Sequence, residues 1–440
     1  MKKKILVGIM VLAMLGSSVA GIVAYWPYLN PKPEDPFADV PYPLIQSYNY
    51  ADLSGQDLTE VDLTELDAPD TLTFDTSTKW PAADKMPEGF SPDALMDQGR
   101  YLGLGLRRLH EQGITGDGIV VAVIDRPILK DHEEFAANLQ YNEPLTEEPS
   151  ASAVNFHGAA ITGILAGEHG VAPDAKVHYF AIPNDDSAYT TSAQALDRIV
   201  ELNKTLPDAE KIKVVAAAQS ANPLDEAANI LGAKDWADAI KRAEAEGIIV
   251  VHPSMIGVGL TGAGVKSGEN RDNPDSYLPW TWTSAKAWVV EKIRGAGATS
   301  WEDARKELIR LLTEQPDLDS LQAEALDTYI QLAEYYKQTS TFESWIAVAE
   351  GDLSNTLAVP VDYITLATAD ANDSYAYYGS GGLSWASPYV AGLLALGLQV
   401  NPDATAAELF AALMDSGTPF ATGGKLVSPA GFIQAVEALK

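Results

Sequence analysis

Three residues of this chain carry groups that together could break an acyl bond: Asp125, His157 and Ser384. Ser384 lies in the stretch GSGGLSWASPYVAG, residues 379–392, between paired glycines and an apolar run with Pro388 near its start. Glycine permits backbone paths closed to other residues, and proline is tolerated only in the first helical turn. The pattern fits a serine displayed from the first turn of a buried helix. There the unpaired N–H groups and the helix dipole favour negative charge. A serine so placed attacks a carbonyl while neighbouring N–H groups hold the oxyanion.

Asp125 directly follows the apolar run Ile119–Ile124, and a carboxylate behind such a strand needs a hydrogen-bonding partner to offset its desolvation. Taken alone, it also fits a capping or structural aspartate. His157 heads the run His157-Gly158-Ala159-Ala160-Ile161-Thr162-Gly163-Ile164-Leu165. Alone, it fits a satisfied polar residue at a helix start equally well.

The elements that must position these groups are legible in the hydrophobic pattern. Ile119–Ile124, Lys176–Ile182, Ile212–Ala218 and Gly247–Val251 are short apolar runs rich in β-branched residues and read as buried parallel strands. Ser192–Leu202 and Ala233–Glu246 between them read as helices. Such alternation predicts an α/β fold with a central, mostly parallel sheet, in which functional groups gather at the carboxyl ends of the strands. Residues 300 to about 338 break the rhythm. Ser300-Trp301-Glu302-Asp303 fits a helix-start capping pattern, and Leu321, Ala325, Tyr329, Leu332 and Tyr336 form an apolar stripe at helical spacing. A helical insertion packed on the domain is expected there, with a partner-binding hairpin as the alternative.

Composition narrows the function classes. The 440 residues hold 30 Lys and Arg against 61 Asp and Glu, a net charge of −31. So acidic a surface disfavours nucleic acid and anionic membranes as partners. With no cysteine, disulfides, thiolate metal sites and a cysteine nucleophile are excluded. At the N-terminus, Lys2-Lys3-Lys4 precede an uncharged run from Ile5 to Trp26, a basic region and apolar core of the kind that directs export. Residues 1–26 therefore read as a signal peptide, with small residues at Ser18-Val19-Ala20, or as a membrane anchor of spanning length with the bulk outside. Residues 27–92 are rich in proline and acids and read as an extension. Within it Asp52-Leu53, Asp57-Leu58 and Asp62-Leu63 recur every five residues, a pentapeptide-like pattern of too few copies for an independent solenoid. The globular domain is expected over 93–440.

Four motifs in order carry a family resemblance. Gly113–Asp125, His157–Gly167, Gly170-Val171-Ala172-Pro173-Asp174-Ala175-Lys176 and Gly382–Gly392 resemble successive motifs of the subtilisin-like serine proteases, the subtilases. The order Asp, His, Ser is also theirs. The competing G-x-S-x-G elbow lacks its second glycine here, since Ala386 stands in that place. The resemblance covers about residues 100–440. It implies a subtilisin-like three-layer α/β fold and a triad in which Ser384 is nucleophile, His157 general base and Asp125 its orienting acid.

It also implies an endopeptidase acting on protein or peptide substrates, exported or anchored through residues 5–26, with no cofactor for the chemistry. Ca²⁺ is a reasonable structural ion, with no ligand residue assignable. The chain departs from the family pattern at Arg126-Pro127, Ala160 and Tyr389. The family's oxyanion asparagine, expected just after Gly247–Val251, is missing from His252-Pro253-Ser254-Met255-Ile256-Gly257. Ser254 is the candidate second donor, with His252 or the Ser384 N–H alone as alternatives. A degenerate subtilase that binds peptides or partners without cleaving them is the competing expectation. Trp280 and Trp282 are expected to pack on the surface, or else to line a groove, and Asp272 and Asp275 read as solvated loop acids.

Overall fold

A computed structural model describes residues 52–64, 66, 71–145, 154–183, 189–218, 230–253, 259–265, 268–315, 318, 320–337, 340–350 and 353–440. The first half runs β1 (Thr73–Asp75), α1 (Pro92–Gly99), α2 (Leu106–Glu111), β2 (Val120–Asp125), β3 (Leu139–Pro144), α3 (Phe156–Ala166), β4 (Lys176–Ala181), α4 (Tyr189–Asn203), β5 (Ile212–Ala217), α5 (Ala233–Ala245) and β6 (Ile249–Val251). A middle stretch follows with β7 (Gly259–Val265), β8 (Tyr277–Pro279), α6 (Thr281–Gly295), α7 (Trp301–Glu314), α8 (Ser320–Tyr336) and α9 (Phe342–Glu350). The chain closes with β9 (Thr356–Pro360), β10 (Ile364–Ala367), β11 (Tyr375–Tyr378), α10 (Ala386–Val400), α11 (Ala406–Ser416), β12 (Thr418–Pro419), β13 (Lys425–Leu426) and α12 (Pro429–Glu437).

The four strands read from sequence, β2, β4, β5 and β6, form one parallel sheet with β3, a half-buried edge strand that no apolar run announces, in the order β3-β4-β2-β5-β6, with Ile124 in register with Phe180 and Ala217. Residues of β2 alternate between two apolar layers, as the period of a strand requires. Val121 and Val123 join a core shared with α3 and α10, whereas Val120, Ala122 and Ile124 join the layer of α4 and α5. This is a three-layer α/β sandwich. The α10 helix is buried along nearly its whole length. It is apolar enough to resemble a membrane span, but it is the central core helix of the fold.

Two further sheets flank the first. Strands β13, β9 and β7 run parallel in the order β12-β13-β9-β7-β8, with β8 and β12 antiparallel at the edges. A smaller antiparallel sheet has the order β1-β11-β10. Its β1 lies upstream of residue 92, in the expected extension, and pairs with a strand of the C-terminal third.

The helical insertion is longer than the expected 300–338, since it begins with α6 and ends with α9. Ser300 caps α7 by accepting the Asp303 N–H, as its sequence predicts. Ala325, Tyr329 and Tyr336 of the apolar stripe are buried against the main core, together with Trp345 and Ile346 of α9. The missed element, α6, hides its helical period among tryptophans and polar residues, yet buries Trp282, Ala285, Val289 and Ile293 on one face. Trp280 and Trp282 are therefore buried, not surface residues. Asp272 and Asp275 are exposed, and Asp272 accepts the Gly105 N–H at 2.8 Å.

Candidate active site

Alternation along β2 decides where Asp125 points. Val121 and Val123 face α3, so Asp125 faces it too, from the carboxyl end of the strand. Its side chain is only 3% exposed. His157 is the second residue of α3. Asn155 caps that helix by accepting the His157 N–H at 2.8 Å, and its own N–H is held by the Pro127 carbonyl at 2.7 Å. The cap fixes the height of the imidazole, and its Nδ1 meets both Asp125 carboxylate oxygens at 2.9 Å. A buried carboxylate on Nδ1 holds the ring in the tautomer that leaves Nε2 free to take a proton.

Gly158 shows how tightly this corner is built. A β-carbon there would stand 2.6 Å from the Arg126 carbonyl and 2.7 Å from Ile128, and would collide with the Tyr179 hydroxyl. That hydroxyl donates to the same carbonyl.

Burial alone would push the Asp125 carboxyl up, but the imidazole of His157 and then Arg126 more than offset it, leaving the group below the ordinary aspartate range. The Arg126 N–H donates to Oδ1 at 2.8 Å, and its guanidinium lies 3.9 Å from the same oxygen. The family's small residue at this position is thus replaced by a fixed positive charge beside the acid.

Ser384 sits in a single turn, Leu383–Trp385, that runs directly into α10, and it is fully buried. The next residue, Trp385, lays its ring against the imidazole of His157, with centroids 5.5 Å apart. The serine's turn and the histidine are therefore neighbours. The loop before it is held at three points. Gly379 donates to the Leu72 carbonyl at 3.0 Å, the Trp280 indole donates to the Ser380 carbonyl at 2.8 Å, and Gly382 donates to the Val361 carbonyl at 3.0 Å. Gly381 adopts φ +70, and a β-carbon there would lie 2.2 Å from the Val361 carbonyl oxygen, so only glycine fits. Farther along α10, Gly392 lets Val171 approach to where a β-carbon would stand 2.5 Å from it.

Residues 116–431 match the subtilase family. The chain belongs to that family. Among solved structures, this subtilase resembles the prenylagaramide maturation protease PagA, with 15% identity and a TM-score of 0.45 over 76% of this chain and 98% of that one. It also resembles fervidolysin from Fervidobacterium pennivorans, a keratinolytic enzyme related to subtilisin. That match has 15% identity and a TM-score of 0.46, over 76% of this chain but only 45% of fervidolysin. The PatG macrocyclase domain matches at 13% identity and a TM-score of 0.42, over 76% of this chain and 95% of that one. No curated protein matches the chain.

Of the residues picked from sequence, Asp125 and His157 are joined directly, and Ser384 stands next to the residue that packs on His157. Ser254, the candidate oxyanion donor, lies outside the described residues, as do 219–222 of the stretch Ala216–Asn222 where the family resemblance puts a binding cleft. The alternative donor, His252, turns the other way. Its ring packs on Trp236 of α5, in the layer opposite α3 and α10, and burial pushes its pKa down to about 4. Among the described residues no three His, Asp or Glu side chains come together to hold a metal ion. A surface hollow of about 400 Å³ lined by Arg100, Arg107, His110 and His169 lies beyond the far end of α3 from His157 and plays no part in this corner. Sequence reasoning missed Asn155, Trp385 and the anchoring role of Trp280. An Asn two residues before the histidine was the available signal for the first.

Proposed function

We propose that this subtilase is an exported or membrane-anchored serine endopeptidase that cuts peptide bonds with Ser384, His157 and Asp125. The observation that carries the reading is the pair of 2.9 Å contacts between His157 Nδ1 and the buried Asp125 carboxylate, in a chain of this family. In the reaction, Ser384 Oγ attacks the scissile carbonyl as its proton passes to His157 Nε2. The acyl-enzyme forms as that proton goes to the leaving amine, and water then reverses the roles to release the acid. Asp125 stabilises the imidazolium throughout. The Ser384 N–H at the head of α10 and the Ser254 hydroxyl are the proposed oxyanion donors. The uncharged run 5–26 behind three lysines supports outward placement.

A non-cleaving, peptide-binding role is the second reading. Full burial of Ser384 and the guanidinium beside Asp125 favour it. Labelling of the full chain with a fluorophosphonate probe separates the two. Endopeptidase action predicts labelling that is lost in Ser384→Ala and His157→Ala and slowed about 10²–10³-fold in Ser254→Ala. A folded protein that stays unlabelled before and after limited proteolysis is instead a binding module. Recovery of the labelled chain in washed membranes or in the medium, against the cytosolic fraction, tests the placement.

A further inference from the structure

The nucleophile loop is tied at its entrance to a segment that a conventional leader would carry away. We propose that residues 52–80 are a permanent part of the working peptidase, supplying the edge strand that holds this loop in place. The inference rests on Ser384 being the nucleophile, and it implies that any processing of the N-terminus falls before Asp52.

Strand β11 runs straight into Gly379, five residues before Ser384. On one side β11 pairs with β10; on the other it pairs with β1 alone, with Thr73 opposite Tyr378 and Asp75 opposite Ala376. The pairing continues past the strand at both ends. Leu72 accepts the Gly379 N–H at 3.0 Å, and Thr76 donates to the Tyr375 carbonyl at 2.9 Å. Without β1, those groups and one edge of β11 lose their partners at the point where the chain must enter the loop. A buried backbone group left unpaired is strongly unfavourable, so the loop would rearrange or solvate.

The segment is also too well built to be a passing cover. Leu53, Leu58 and Leu63, the repeated leucines, are at most 4% exposed. They form one apolar cluster with Leu72, Phe74 and Tyr377, in which Phe74 stacks on Tyr377 with centroids 5.1 Å apart. The repeated aspartates stiffen the turns between them. Asp57 and Asp62 each accept the hydroxyl of the threonine two residues on, at 2.7 Å. Asp75 accepts from Gly55, Ser77 and Thr78, and Leu53 donates to the Thr73 carbonyl at 2.8 Å, so the coil and β1 hold each other. Tyr377 thus has most of its core partners upstream of residue 92, with Leu95 and Tyr363 among the exceptions, and its neighbours in sequence at the site.

The test uses the full chain. The mass of the fluorophosphonate-labelled protein is expected to include residues 52–80; a labelled chain that begins after Asp75, without the edge strand, overturns the proposal. Phe74→Ala is then compared with Leu413→Ala, which opens a buried hole in α11 away from the loop. Phe74→Ala is expected to slow labelling at saturating probe at least about tenfold with little change in the half-saturating probe concentration, and to abolish hydrogen-exchange protection of Gly379. Leu413→Ala should change neither. Equal effects of the two variants would reduce the segment to general stability and sink the idea. If Phe74→Ala does not fold, Phe74→Leu gives the same comparison at smaller amplitude. Should even the wild type remain unlabelled, the reading of Ser384 fails. Exchange at Gly379 then decides the strand's role by itself: protection lost only in the Phe74 variant upholds it, and protection unchanged overturns it.

Discussion

At the scale of single residues, the corner around His157 is arranged so that one ring nitrogen is fully committed and the other is left for chemistry. Asp125→Asn keeps the shape but offers an amide where Nδ1 needs an acceptor. It is expected to lower kcat about 10⁴-fold with little change in KM, measured on a peptide substrate. Much of this corner was legible in the sequence: an acid behind an apolar strand, a histidine at the head of a helix, and a serine after two glycines. Direct contact between them was not, because it depends on alternation along β2 and on Asn155, a cap whose meaning appears only once the helix start is fixed. The guanidinium of Arg126 was equally hidden. Sequence marks it as a departure from the family, and only the fold brings it within 3.9 Å of the carboxylate.

At the scale of elements, the clearest lesson lies in the five-residue repeat. Three Asp-Leu pairs are too few for a solenoid, and the pattern alone predicts no more than a local coil. The leucines are nevertheless as buried as any in the main core, because β1, Tyr377 and Leu95 complete a cluster that the repeat cannot close alone. Leu58, with no exposure at all, is expected to be worth about 2–5 kcal/mol when truncated to alanine, read as a lowered denaturation midpoint with unchanged slope. A loss under 1 kcal/mol would show the coil to be a loosely held appendage. Strands β2, β4, β5 and β6 were predicted within about two residues because their burial on both faces writes continuous apolar runs, whereas β3, at the edge of the same sheet, is only half-buried and was not seen. Helix α6 was missed because its buried face, Trp282, Ala285, Val289 and Ile293, is interleaved with threonine, serine, lysine and the half-exposed Trp288, which blurs the helical period.

At the scale of the whole molecule, most of the acids behind the net charge of −31 are exposed, and of the two buried aspartates, Asp125 and Asp362, only the second is pushed towards its neutral form. Asp362 is buried under the loop that precedes Ser384, where Gly381 packs on it and the Val265 N–H donates to it at 3.1 Å. Burial pushes its pKa from 3.8 up to about 8, with Arg271 only partly opposing this. The folded state therefore binds this proton more tightly than the unfolded state. Its contribution to stability is intact below about pH 4 and falls as the pH rises from there to about 8, by an amount on the order of a few kcal/mol. Asp362→Asn should flatten that decline: relative to wild type, its melting temperature rises more at pH 8 than at pH 5. A difference that does not vary with pH would mean that the carboxyl ionises freely in place.

The pairing of Thr73 with Tyr378 joins positions roughly three hundred residues apart along the chain, the kind of long-range contact that forms late in folding. During synthesis, β1 emerges early and then waits for a partner until most of the domain has been made. The loop that carries Ser384 cannot close before that partner arrives. On the proposed role of Ser384, a nascent chain would hold no assembled site until its last third had been made, and its cutting would be delayed by the order of synthesis itself.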